Sequence, residues 1–365
     1  MAFNVRSVID RKSTLWQTLW RWPKIELHRH LEGSLRLDTL IEVAQEYDIP
    51  LPAYDAEQLR PYVQMMDNDE ATFSVFLSKF DVLRKFYCSL NIIRRITREA
   101  VEDAANDNVR YMELRFTPHA LALQSDLSYE EVIGAVVEET NRAADDFGVR
   151  VKLIVSVNRH ESVQIAERVL GAVLHQNHGA VVAMDLAGRE PGFSATPFLG
   201  LFQRAREAGL GITIHAGEWE GPENVREAIE KLGADRIGHG VRAIEDERVV
   251  RLVSDRRIPL EICPTSNLHT GVVGHPEHHP LLDLALLNVN TTINTDDPSL
   301  SNISLTDELA LAHVAIGLPL YLLKKNILNA AQAAFLPADE RNALVQEFGR
   351  LLGMDDTLPH RPWGL

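Results

Sequence analysis

Eight short, largely apolar runs recur along the chain: PKIELHRH (23–30), VRYMELRF (109–116), VRVKLIVSV (149–157), AVVAMDLAG (180–188), LGITIHAGE (210–218), DRIGHG (235–240), IPLEICPTSN (258–267) and VNTTINTDDP (289–298). They are rich in Val and Ile and apolar on both faces, the pattern of buried parallel strands. The segments between them read as amphipathic helices. In SYEEVIGAVVEETNRAADDFG, Ser128 is expected as N-cap, Glu131 as its capping-box partner and Gly148 as the stop. GPENVREAIEKLG carries Pro near its start and Gly at its end. Strand–helix alternation repeated in this way predicts an α/β protein, a (β/α)8 TIM barrel. A single barrel domain is expected over residues 1–365, with 1–22 as an N-terminal extension. The first crossover is unusually long, roughly 80 residues from Glu32 to Asn108. It is expected to hold two or three helices, TFSVFLSKFDVLRKF among them, as an insertion over the barrel mouth. Every strand but the last two is followed by a clear helix, and the helical tail after Asp297 is expected to contain the eighth barrel helix.

Composition narrows the partners more than the fold. The 365 residues are 45% apolar and 24% charged, ordinary for a globular protein. A formal net charge of −15 argues against a nucleic-acid backbone or an anionic membrane as partner. It says little about a small neutral ligand. No apolar run reaches the roughly 18 residues of a membrane span. Asp10, Arg11 and Lys12 interrupt what would be a signal peptide's core. Two distant cysteines, Cys88 and Cys263, fit a reducing cytoplasm. The Trp-rich LWQTLWRW is expected to pack onto the domain's own surface; a homo-oligomer is left open.

Polar residues gather where these strands end. Strand one ends in His28 and His30, strand five in His215 and Glu218, strand six in His239, and strand eight in Asp296 and Asp297. Strand four ends in Gly188, whose backbone amide a ligand could approach. Each alone has an ordinary explanation: a hydrogen-bonded core histidine, a turn aspartate, a surface pair. Together, at the C-terminal rim where barrel enzymes place their chemistry, they would be costly to bury without a metal or mutual pairing. Two histidines at i and i+2 of a strand face one point. Three imidazoles and a carboxylate suit one Zn2+ with a position left for water. His28, His30, His215 and Asp296 are the expected ligands. Zinc would lower the pKa of bound water towards 7. Strand four has no lysine to bridge two metals, which favours one ion per chain. His239 and Asp296 are placed to serve as base and to orient the water, and Glu218 to protonate a ring nitrogen of a substrate. Asp297 is placed to share a hydrogen bond with the ligand.

The motifs ELHRHLEGS, MELRFTP, MDLAGRE, HAGEWEGP, RIGHGVRAIED, CPTSN and NTDDP, in this order from about Pro23 to about Leu352, resemble the adenosine deaminase family of the amidohydrolase superfamily. The adenine deaminase branch differs at strands four and six, where LDSSE and DHG would be expected. The resemblance implies that Glu218 protonates purine N1, that His239 and Asp296 orient the attacking hydroxide, that the Gly188 amide faces N3 and that Asp297 bonds N7. His30 and Glu32 would also face the substrate. The reaction implied is adenosine, and with it 2′-deoxyadenosine, to the inosine product plus ammonia. Two positions depart from the family pattern. Glu32 stands where HLDG has Asp, on the ribose 5′ side, and Arg189 stands where DLAGDE has an acid. Both bring in a 5′-modified nucleoside such as 5′-deoxyadenosine, methylthioadenosine or aminodeoxyfutalosine as an alternative substrate. Other barrel hydrolases, such as phosphotriesterase-like or cyclic-amide hydrolases, are disfavoured by the missing lysine and the HAGE glutamate. A non-catalytic descendant would have lost one of the seven polar residues.

Overall fold

A computed structural model describes residues 3–176 and 179–354. The ends of the expected 1–365 unit, residues 1–2 and 355–365, lie outside the described residues, as do 177–178.

The eight runs form one parallel sheet in sequential order: β1 (Lys24–His30), β2 (Val109–Phe116), β3 (Arg150–Asn158), β4 (Val181–Ala187), β5 (Gly211–Ala216), β6 (Arg236–His239), β7 (Leu260–Ile262) and β8 (Thr291–Ile293). Helices surround it, as a (β/α)8 barrel requires. The sheet is brought round on itself just past β8. His30 N–H donates to the Asp296 carbonyl at 2.8 Å, Asp296 N–H to the His28 carbonyl at 2.9 Å, and Leu27 N–H to Asn294 Oδ1 at 2.9 Å. Closure therefore sets Asp296 directly beside His28 and His30.

β7 and β8 are shorter than the sequence pattern suggested. Pro264 and Pro298 open helices Pro264–His269 and Pro298–Ser301, so CPTS and DDPS turn out of the strands. Proline at the first helical turn has no N–H to give a strand ladder and its φ suits a helix start. The helix Tyr129–Phe147 has the expected capping box between Ser128 and Glu131 and ends at Gly148 with φ +67°. The other reads Pro222–Glu230 and stops short of its glycine.

The first crossover is richer than expected, with α-helices Leu37–Glu46, Ala56–Val63, Phe73–Ser78, Phe80–Leu83 and Leu90–Asn106. The last packs on Tyr129–Phe147 and on β2 as a barrel helix; the others form the insertion. TFSVFLSKFDVLRKF is not one helix. It breaks at Lys79, whose buried ammonium is drawn inward to Asp69 and the Pro61 carbonyl, both at 2.7 Å. Phe73 of the insertion stacks on Trp219 of the loop after β5, with ring centroids 5.3 Å apart. The N-terminal helix Thr14–Arg21 packs on Leu305–Val314, with Leu19 buried and Trp16 Nε1 donating to Asp307 at 2.8 Å. Lys24 Nζ ties its end to β1 by donating to the Leu19, Trp20 and Trp22 carbonyls.

Candidate active site

The described residues include a cluster of His28, His30, His215 and Asp296, whose potential ligand atoms all lie within 4.8 Å of one another. His30 Nε2 faces His215 Nε2 at 3.3 Å, and Asp296 Oδ1 lies 3.2 Å from His28 Nε2 and 3.4 Å from His30 Nε2. Two further carboxylates fix the rings from behind. Glu261 Oε2 sits 2.8 Å from His28 Nδ1, and Asp185 Oδ1 sits 3.0 Å from His215 Nδ1. Both acids are fully buried yet held well below the ordinary carboxylate range: burial opposes this, and nearby cations and imidazoles outweigh it, Arg115 with Arg236 at Glu261 and His215 with Arg115 at Asp185. An ionised carboxylate must receive a proton there, so each Nδ1 carries the hydrogen and each Nε2 keeps its lone pair.

Those lone pairs converge with the Asp296 carboxylate on one point. His28 Nε2 is buried without a hydrogen-bond partner. Burial keeps His30 and His215 neutral by lowering both pKa values. At His28, burial and Arg115 work against charge, yet contact with Asp296 and Glu261 leaves the ring raised, a site that draws positive charge to itself. Three nitrogen donors and one oxygen donor gathered at one point fit a divalent cation of zinc's preference.

Beside this cluster, His239 Nε2 lies 3.5 Å from Glu218 Oε2 and 4.0 Å from Asp296 Oδ2. Both His239 and Asp296 hold left-handed backbone, φ +58° and +62°, a strain of about 1 kcal/mol or more that concentrates at working sites. Burial, with Asp296, Glu190 and Asp297 nearby, raises the Glu218 pKa well above the carboxylate range, which favours its protonated form. Asp297 is raised likewise by burial and by Asp296, and its Oδ1 has no partner. It fits only because residue 33 is glycine; a Cβ there would sit 1.8 Å from that oxygen.

Two further sequence-predicted residues lie outside the cluster's own contacts, and Glu32 is near enough to act on Asp297. Glu32 is buried, with Oε1 accepting from Thr117 N–H at 2.6 Å, Oε2 unpaired, and burial raising its pKa to about 7. Gly188, at φ +83°, has His160 and Asn158 as its nearest side-chain neighbours; a Cβ would come within 2.6 Å of His160 Nδ1. Arg189 is exposed, its guanidinium over the Phe73 and Phe193 rings.

Sequence reasoning missed the supporting acids. Asp185, Glu261 and Arg115 are charged residues inside otherwise apolar strand runs, and that contradiction was the signal. Glu190 is the largest omission. Its buried carboxylate accepts from the backbone N–H groups of Gly217 (2.8 Å), Glu218 (3.1 Å), Trp219 (2.8 Å) and Glu220 (3.0 Å) and from Asn224 Nδ2 (2.9 Å). One side chain thus shapes the loop that carries Glu218.

The parallel barrel and the company its rim residues keep place the chain among the amidohydrolase-superfamily barrels, whose deaminases are metal-dependent. A profile of the adenosine deaminase family matches residues 23–350. Adenosine deaminases of Shigella flexneri and Escherichia coli are each 39% identical over 322 residues, 88% of this chain and 96% of theirs. Among solved structures, adenine deaminase from Arthrobacter aurescens superposes with TM-score 0.84 at 27% identity, covering 91% of this chain and 99% of that one. A zinc-bound amidohydrolase from Burkholderia ambifaria gives 0.85 at 25% identity, covering 97% and 98%. Arabidopsis N6-methyl-AMP deaminase gives 0.79 at 28%, covering 92% and 99%. The chain belongs to the adenosine deaminase family and is a deaminase hydrolase.

Proposed function

We propose that this chain is a zinc-dependent deaminase of adenosine, and of 2′-deoxyadenosine, acting on free nucleosides in the cytoplasm. The observation that carries the reading is the meeting of three imidazoles, His28, His30 and His215, with Asp296, and the buried Glu218 and His239 beside them. The 39% identity to adenosine deaminases, against 27% to an adenine deaminase structure, supports the nucleoside over the free base.

His28, His30, His215 and Asp296 hold the ion. Bound zinc would supply a Lewis acid that brings the pKa of water towards 7. Glu218 delivers its proton to purine N1, which makes C6 electrophilic. Asp296 and His239 orient the water whose oxygen forms the new bond to C6. Asp297 pairs with N7 and the Gly188 N–H with N3, so the ring is fixed before C6 reacts. The C6–N bond then breaks: of the water's two protons one passes through Asp296 to the amine, which leaves as ammonia, the other restores Glu218, and the product is inosine with the oxygen as its C6 carbonyl. Across the reaction one water is consumed and no redox partner is needed.

A nucleoside altered at the 5′ position is the second reading. It is favoured by Glu32, which stands where the family pattern has Asp and whose Oε1 is committed to Thr117 N–H. The test is kcat/KM over adenosine, 2′-deoxyadenosine, 5′-deoxyadenosine, methylthioadenosine, aminodeoxyfutalosine and adenine. Adenosine is expected to rank first. A tenfold or greater preference for a 5′-modified substrate transfers the assignment to the second reading, and preference for adenine overturns both.

A further inference from the structure

A hydrogen-bonded chain runs into the site from the loop after β7. Leu281 N–H donates to His279 Nδ1 at 3.1 Å, His279 Nε2 faces Asn267 Oδ1 at 3.4 Å, and Asn267 Nδ2 faces His239 Nδ1 at 3.3 Å. All three side chains are buried, with Asn267 fully so.

The direction of this chain follows from its first link. A backbone N–H can only donate, so His279 Nδ1 must accept. Burial lowers the His279 pKa to about 3, so the ring is neutral and its one proton sits on Nε2. That proton points at Asn267, which must turn its carbonyl oxygen to receive it. The asparagine amide then has only N–H to offer His239 Nδ1.

We propose that Asn267 and His279 are positioning residues that lock neutral His239 in the Nε2–H tautomer. The inference rests on the proposed deaminase reading and deepens it. His239 then enters the site as a hydrogen-bond donor, aimed between Glu218 Oε2 and Asp296 Oδ2. It can hold the oxygen of the attacking water by donating to it. It cannot take the water's first proton at Nε2, because that nitrogen is already protonated. Asp296 Oδ2 is left as the acceptor on that side. The expectation that His239 and Asp296 share both roles thus divides: His239 orients, and Asp296 accepts.

The test reads the tautomer directly. In the zinc-loaded protein with 15N-labelled histidine, long-range 1H–15N correlation distinguishes a protonated ring nitrogen from a bare one, and His239→Gln assigns the signal. The wild-type protein is expected to show His239 with Nε2 protonated and Nδ1 bare, without substrate. Asn267→Asp replaces the donor with an acceptor of the same shape and is expected to move the proton to Nδ1. Its kcat should fall by about 10²- to 10⁴-fold with KM within about threefold, the range seen when a catalytic imidazole is held in the wrong tautomer. Asn267→Ser, which can still donate, should recover at least tenfold of that loss. A wild-type His239 protonated at Nδ1 overturns the proposal outright, whether or not the variants fold. So does an Asn267→Asp protein whose tautomer is unchanged. If the wild-type tautomer is as expected but no adenine nucleoside is deaminated, the functional reading fails and the hydrogen-bond chain stands.

Discussion

Replacing Glu190 with Gln tests how the proton donor is held. The carboxylate accepts five hydrogen bonds, two at Oε1 from Gly217 N–H and Asn224, and three at Oε2 from the N–H groups of Glu218, Trp219 and Glu220. A glutamine must point its NH2 at one of these groups of donors. The least damaging choice is the Oε1 side, where Asn224 can turn its amide and accept. Gly217 N–H then meets another N–H, at about 1–3 kcal/mol for a buried unsatisfied donor. The three remaining bonds lose their charge assistance, at about 1 kcal/mol each. Together the loss is about 4–6 kcal/mol. With an unfolding entropy of about 2.1 cal/mol/K per residue, that is a Tm lower by about 5–8 °C if stability bears all of it. Because the strained loop carries Glu218, part of the loss is expected in kcat, at least tenfold, with zinc content unchanged. Calorimetry and steady-state kinetics on the same sample read the two shares. A Tm within about 1 °C of wild type together with kcat within twofold would refute the reasoning.

Glu218→Gln is expected to keep one zinc per chain by elemental analysis while turnover falls by about 10²-fold or more; retained activity would remove Glu218 as proton donor. Asp185→Asn should weaken zinc binding about 10- to 100-fold in a chelator competition, because the acceptor that fixes the His215 ring loses its negative charge and with it the basicity it lends Nε2, and unchanged affinity would refute that support. Glu26 is buried, accepts from Thr295 N–H and Oγ1 at 3.0 Å each, and is raised by burial to a pKa of about 7. Its folded pKa exceeds the unfolded value, so its contribution is fully present below about pH 4.5 and is lost as pH rises through 7. The loss amounts to about 3 kcal/mol. Glu26→Gln keeps both hydrogen bonds, so it should raise Tm at pH 8 and not at pH 5; an equal shift at both would contradict the sign.

What the sequence made legible were features written in short-range patterns. The two-residue spacing of His28 and His30 marked one face of a strand, and Val/Ile runs marked all eight strands. HAGE, GHG and NTDD stood out because polar groups ended apolar runs. Less legible were partners distant in the chain. Glu261 meets His28 and Glu190 meets the 217–220 loop only after the barrel closes, and no local periodicity encodes those pairings. The lengths of β7 and β8 were legible in principle, since Pro264 and Pro298 marked helix starts within the runs. The break at Lys79 was not, because it depends on Asp69 and Pro61 being drawn together by the insertion's own packing.

The central claim is best tested by the ultraviolet absorbance of adenosine with the purified protein, after chelation and after return of one equivalent of zinc. The expected result is a shift to the inosine spectrum with release of ammonia, lost on chelation and restored by zinc. Failure to deaminate adenosine or any 5′-modified adenosine with zinc bound, or full activity in the metal-free protein, would contradict it.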